Sequence, residues 1–197
     1  MDSVSRAASR IDAASSVLIL RPQSAARADT AWRRALVDDP ESVELLGVCL
    51  SDRPEEWHEK WCEVLGTEPA AAAVITTPEL AGEDDPDSVD VKTVATPSNL
   101  TGIGVKTTPY LNRWDDAVTV VEPLTVLCQY AGTREIYQFL HVLLARLGSD
   151  GEAQVYVDPV VEDDRSIELL KSLFDAVVEY DPDGGSDGDW NARLRQS

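Results

Sequence analysis

Residues 117–147, AVTVVEPLTVLCQYAGTREIYQFLHVLLARL, constrain the fold more than any other stretch of the chain. Val118, Val120 and Val121 belong to a short β-branched run that ends on a carboxylate, Glu122. Such a run suits a parallel strand covered on both faces, whereas a half-exposed strand alternates apolar with polar residues. After a polar break, Ile136, Phe139, Leu140, Leu143, Leu144 and Leu147 recur at helical spacing and form one apolar stripe. Gly148 is expected to end that helix.

The same grammar of strand, break and helix runs along the chain. Residues 1–15 read as a loose N-terminal arm. Val17 to Leu20 (VLIL) is an apolar strand, followed by a helix over Ala25 to Val37 that Asp38, Asp39 and Pro40 end. Glu44 to Leu50 is a second strand, and Pro54 opens a helix whose inward stripe is Trp57, Trp61, Val64 and Leu65, closed by Gly66. Ala71 to Thr76 is a third strand. Pro78 to Asp90 is an acidic surface loop, with a docking element for a partner as its sharper reading. Val91 to Val94 is a short strand, and Ser98 caps a helix kinked at Pro109. Further on come a strand at Ala153 to Val157, a helix from Asp163 or Asp164, and a strand at Ala176 to Tyr180. The turn formers DPDGGSDGD then lead to Trp190–Arg195, which is expected to return antiparallel or to serve as an exposed peptide.

Strands separated by helices require crossovers and predict an α/β fold: three α/β/α layers around a mainly parallel sheet, with a C-terminal antiparallel hairpin. One domain spans residues 16–180, and 181–197 form a loop and a closing strand or tail.

With 36 acidic and 17 basic residues the formal charge is −19, which argues against a nucleic-acid partner because phosphate binding needs a basic face. Four lysines (Lys60, Lys92, Lys106, Lys171), one Met, two Phe and abundant Asp resemble the composition of proteins from salt-loving archaea. There, dense carboxylates hold hydration and cations while salt screens their repulsion. No cleavable signal is visible in residues 1–14, and no apolar run approaches the roughly 20 residues of a membrane helix. Cys49, Cys62 and Cys128 are odd in number and scattered, as expected of reduced, buried thiols in a cytoplasmic protein.

The order of elements, with VTVVEPLTVLCQYAGTREIYQFLHVLLARL, SNLTGIGV, VYVDP and LFDAVVEYD, resembles the RecA/KaiC-like ATPase core, and more closely the uncharacterised RecA-like domains of salt-loving archaea. The resemblance implies a Mg²⁺-ATP site beyond the first strand, where a Gly-rich loop ending in Gly-Lys-Ser or Gly-Lys-Thr cradles the phosphates. The matching segment here, RPQSAARADTAW, contains neither glycine nor lysine, although Arg21 and Arg27 offer charge. Glu122 matches the acidic residue that ends the Walker B strand and helps hold the Mg²⁺ water shell. Its alternative role is to cap the following turn or helix, or simply to reach water. Asp158 ends the next strand; it either joins Glu122 in one crevice, as a cation site or acid–base pair, or closes an Asp–Pro turn.

Other candidates carry less chemistry. His58 and Cys62 stand four apart on a helix, but two ligands fall short of a zinc site and no metal centre is expected. His141 lies beside Tyr137 without a nucleophile, no G-x-S-x-G elbow exists, and Gly102 with Gly104 suits close helix packing.

The expectation is a non-catalytic RecA-like domain for regulation or protein assembly, with a protein partner or homo-oligomer, in a salt-rich cytoplasm whose cations surround it. No catalytic residue and no resident cofactor are assigned. The alternative is a divergent nucleotide-binding ATPase that uses Glu122, Asp158 and an arginine such as Arg21 in place of the lysine. A sensory module for a small ligand at the strand ends is a third reading.

Overall fold

Apolar runs of five or six residues form the middle of the sheet. β1 (Ser16–Leu20) and β5 (Ala117–Glu122) are buried along their whole length. β2 (Glu44–Cys49), β3 (Ala71–Thr76) and β6 (Glu152–Val157) are buried at every position after the first. Only a strand with cover on both faces has this pattern. The computed structural model describes residues 3–25, 30–82, 86–148, 151–184 and 188–195. β4 (Val89–Thr93), β7 (Ala176–Asp181) and β8 (Asp189–Leu194) complete an eight-stranded sheet in the order β4-β3-β2-β5-β6-β1-β7-β8. All neighbours pair in parallel except β7 and β8, the expected C-terminal hairpin.

Successive side chains point to opposite faces of a strand, and two cores follow from this. Leu18, Leu20, Leu46, Val48, Val121 and Val155 face one side, beneath α4 (Leu100–Leu111), α5 (Leu124–Tyr130), α6 (Thr133–Leu144) and α7 (Asp164–Lys171). Val17, Ile19, Leu45, Val118, Val120 and Tyr156 face the other, beneath α1 (Ser3–Ala8), α2 (Thr30–Ala35) and α3 (Pro54–Leu65). The result is the expected three-layer α/β/α architecture. Among the described residues no helix is long and apolar enough to cross a membrane.

The structure departs from the sequence reading at several points. The arm at residues 1–15 carries α1, and Ala7 and Ile11 are buried in the second core, so apolar contact holds this segment on the body. The expected helix from Ala25 begins at Thr30 among the described residues; Arg27 and Ala28 lie outside them. Asn99, not Ser98, caps α4, its side chain accepting the Gly102 N–H at 2.9 Å, while the Ser98 hydroxyl bonds Thr96. α6 stops at Leu144 rather than Leu147, because its last turn tightens into bonds from Arg146 N–H to Leu143 and Leu147 N–H to Leu144. The polar break before α6 holds the short helix α5, and residues 83–85 of the acidic loop lie outside the described residues.

Candidate functional site

Glu122 ends β5 on the face it shares with Val118 and Val120, beneath α2 and α3. The sequence delivers two cations to that position. α2 turns Trp32 and Arg33 inward together, and α3 carries Lys60 beside its Trp57–Trp61 stripe. Arg33 Nη1 donates to Glu122 Oε2 at 2.5 Å and Nη2 to Oε1 at 2.7 Å, a two-bond fork with both side chains buried. Lys60 Nζ donates to the same Oε1 at 2.7 Å, its side chain one-third exposed (33%). Burial alone would raise the Glu122 carboxyl, but the Arg33 guanidinium and then the Lys60 ammonium outweigh it and hold it at about 2.

Aromatic faces enclose the guanidinium. Arg33 lies 4.3 Å from the ring centroid of Tyr156 and 5.2 Å from that of Trp61. The Tyr156 hydroxyl donates to Gln154 Oε1 at 2.9 Å, and the Gln154 amide reaches the Leu36 carbonyl at 3.4 Å. A buried polar seam thus ties the strand ends to the helix that supplies Arg33.

The other expected residues have separate partners. Arg21 follows β1, is buried, and lies 5.5 Å from the Tyr156 ring centroid. Its N–H bonds the Val157 carbonyl. Asp158 uses both carboxylate oxygens on backbone: Oδ2 accepts the Gln23 N–H and Oδ1 the Val160 N–H, each at 2.8 Å. Its own N–H donates to Thr125 Oγ1 at 3.0 Å. Asp158 therefore closes the turn after β6 and pins the loop after β1. Arg33, Lys60 and Tyr156 are the residues that sequence reasoning missed. The available signal was a pair of cations beside tryptophans in a chain with few cations.

Elsewhere, the His58 Nε2 and Cys62 Sγ stand 3.6 Å apart on α3, and the described residues contain no group of three or more His, Cys, Asp or Glu side chains able to hold a metal ion. The three thiols are free, and burial pushes Cys49 up to about 11. The His141 ring stacks on Tyr137.

Three comparisons place the fold. The uncharacterized protein PH0321 from Pyrococcus horikoshii, solved in complex with an unknown peptide, superposes with a TM-score of 0.59 at 10% identity, over 93% of this chain and 84% of that one. PH0250 from Pyrococcus horikoshii OT3 gives 0.53 at 13%, over 84% and 81%. A prototypical ATPase from the type III secretion system of pathogenic bacteria gives 0.53 at 12%, over 93% of this chain and 60% of that chain. With its mainly parallel sheet, the chain has a RecA-like α/β fold, shared with that ATPase. It belongs to the family of unknown function DUF7504, whose model matches residues 14–180. No curated protein matches it in sequence.

Proposed function

We propose that this chain is a non-catalytic RecA-like domain that serves regulation or protein assembly in the cytoplasm of a salt-adapted cell. The observation that carries the reading is the state of Glu122. It stands where the resembling ATPases hold the water shell of Mg²⁺, yet three of its acceptor positions are filled by Arg33 and Lys60 of its own chain. Mg²⁺ seeks several oxygen ligands in near-octahedral order and draws on substrate phosphates to complete them. A carboxylate already neutralised by two contacting cations does not fit that role.

The segment after β1 supports the same reading. Residues 21–32 hold no glycine to fold the backbone around a phosphate and no lysine to meet its charge. Asp158, the other candidate acid, has both oxygens on backbone N–H groups. The low lysine content and the net charge of −19 support a salt-rich setting.

Calorimetric titration of the full chain with Mg²⁺-ATP in molar KCl tests the proposal. Absent or millimolar binding is expected. Micromolar binding would overturn it in favour of a divergent nucleotide-binding enzyme.

A further inference from the structure

The layer opposite Glu122 carries a groove of about 550 Å³ between α4 and α6, open to solvent and lined in part by Tyr130. Its rim holds three of the chain's large exposed apolar side chains: Val105 at 65% exposure, Tyr130 at 58% and Val142 at 48%. Gly104 forms part of its wall, and nothing stands within 4 Å of where a Cβ would lie there. Apolar groups gathered in a groove mark a binding surface rather than scattered surface residues.

From α6 and the turn after it, Glu135, Gln138, Val142 and Arg146 line the groove at spacings of three, four and four, all exposed. Glu135 and Arg146 thus stand at opposite ends of one stripe, about 16 Å apart along the helix axis, too far to pair within one chain. Each holds a local partner and retains further capacity. One Glu135 oxygen accepts the Gly132 N–H, leaving the other, and Arg146 gives one of its five N–H donors to Thr108 Oγ1.

We propose that this groove is the interface with a second copy of the chain, packed about a two-fold axis with the two α6 helices antiparallel. In a two-fold contact, if residue i meets residue j then j meets i. A stripe with a carboxylate at one end and a guanidinium at the other is therefore complementary to its own antiparallel image. Glu135 faces Arg146 of the partner subunit at both ends, and Val142 with Gln138 lies near the axis.

Charge over the whole chain favours this face. Among the residues that line the groove, Glu135 and Arg146 are the charged pair and cancel, so the net −19 resides in the rest of the chain. Two copies repel one another over most of their surfaces and meet without net repulsion on this one. A basic partner would be drawn to the acidic surfaces instead.

The inference deepens the assembly reading by naming the partner, and the two fail separately. A monomer would remove the dimer and leave the Mg²⁺-ATP result untouched, whereas micromolar nucleotide binding would remove the non-catalytic role and leave the dimer.

Sedimentation velocity of the full chain in molar KCl, from low to high micromolar concentration, tests it. The expected result is a reversible dimer of the 21.5 kDa chain. Val142→Asp, which places two carboxylates near the axis, is expected to weaken self-association about tenfold or more with an unchanged circular dichroism spectrum. Gly104→Leu, which fills the groove, is expected to do the same. A wild-type monomer at every concentration, or two groove variants that associate as the wild type does, would overturn the proposal. The register has its own test at the lowest KCl that keeps the fold. Arg146→Glu is expected to weaken the dimer and Glu135→Arg with Arg146→Glu to restore it; a double variant as weak as the single would overturn the antiparallel arrangement.

Discussion

Arg33 and Glu122 are 89 positions apart in the chain and meet as a fully buried fork of two hydrogen bonds, with the guanidinium set between the rings of Tyr156 and Trp61. The pair fastens α2 to the end of β5. With Lys60, it makes the carboxylate that ends β5 an internal counter-ion.

Removing one partner strands the other charge in the interior. Arg33→Met is expected to cost about 3–5 kcal/mol in denaturant unfolding, because Glu122 then keeps only the one-third-exposed Lys60. The double variant Arg33→Met with Glu122→Leu is expected to cost less than the sum of the singles, since it leaves no buried charge unpaired. Additive costs would mean that the two side chains act independently.

Acid reports on the same pair. The Glu122 carboxyl lies at about 2 in the folded chain against an ordinary 4.5, so its contribution is present above 4.5 and is lost as pH falls toward 2. The stability gap between wild type and the Arg33→Met, Glu122→Leu variant is expected to hold constant from neutral pH to about 5 and to close below 4.5. A gap that persists at pH 2 would assign the stabilisation to packing.

The layered fold was legible because fully apolar runs such as VLIL and AVTVV have few other structures to enter, and each is followed by a helical stripe. Glu122 was legible as the acid that ends such a run. Its partners were not. Arg33 adjoins Trp32 on a helix of six described residues, too short for periodicity to separate its faces, and both turn inward. Lys60 flanks a tryptophan stripe, where a lysine ordinarily reaches water along its stem. A contact across 89 residues leaves no trace in local spacing. The cap of α4 was misplaced by one residue because Ser98 and Asn99 are equally good caps, and the choice fell to the hydroxyl bond between Ser98 and Thr96.

Gly47 in β2 seats the indole of Trp57, and an added Cβ would overlap that ring. The ring belongs to a fully buried side chain and has nowhere to move. Gly47→Val is therefore expected to destabilise the chain by about 1–3 kcal/mol or more, although valine suits a strand better than glycine. A stabilised variant would show that α3 can shift off the sheet.

A net charge of −19 on 197 residues is a self-repulsion that added salt screens. The melting temperature is expected to rise between dilute and molar KCl. A melting temperature indifferent to KCl would refute the salt-adapted setting.

Glu152, the first residue of β6, lines a cleft with Asp12 and Asp38 at the opposite end of the sheet from Glu122. Burial first, then the Asp38 and Asp12 carboxylates, push its carboxyl from 4.5 up to about 7. A raised acid stabilises the folded chain where it is protonated in that state. The contribution is complete below 4.5 and disappears as pH rises through 7, leaving a half-buried charge among like charges. Glu152→Gln, which keeps the shape without the charge, is expected to raise the melting temperature at pH 8 and to leave it nearly unchanged at pH 4. The opposite order, a gain in acid and none in base, would mean that Glu152 is ionised and favourably paired in the folded chain. Molar KCl is expected to shrink the gain without abolishing it, because salt screens Asp12 and Asp38 but does not rehydrate a half-buried carboxylate.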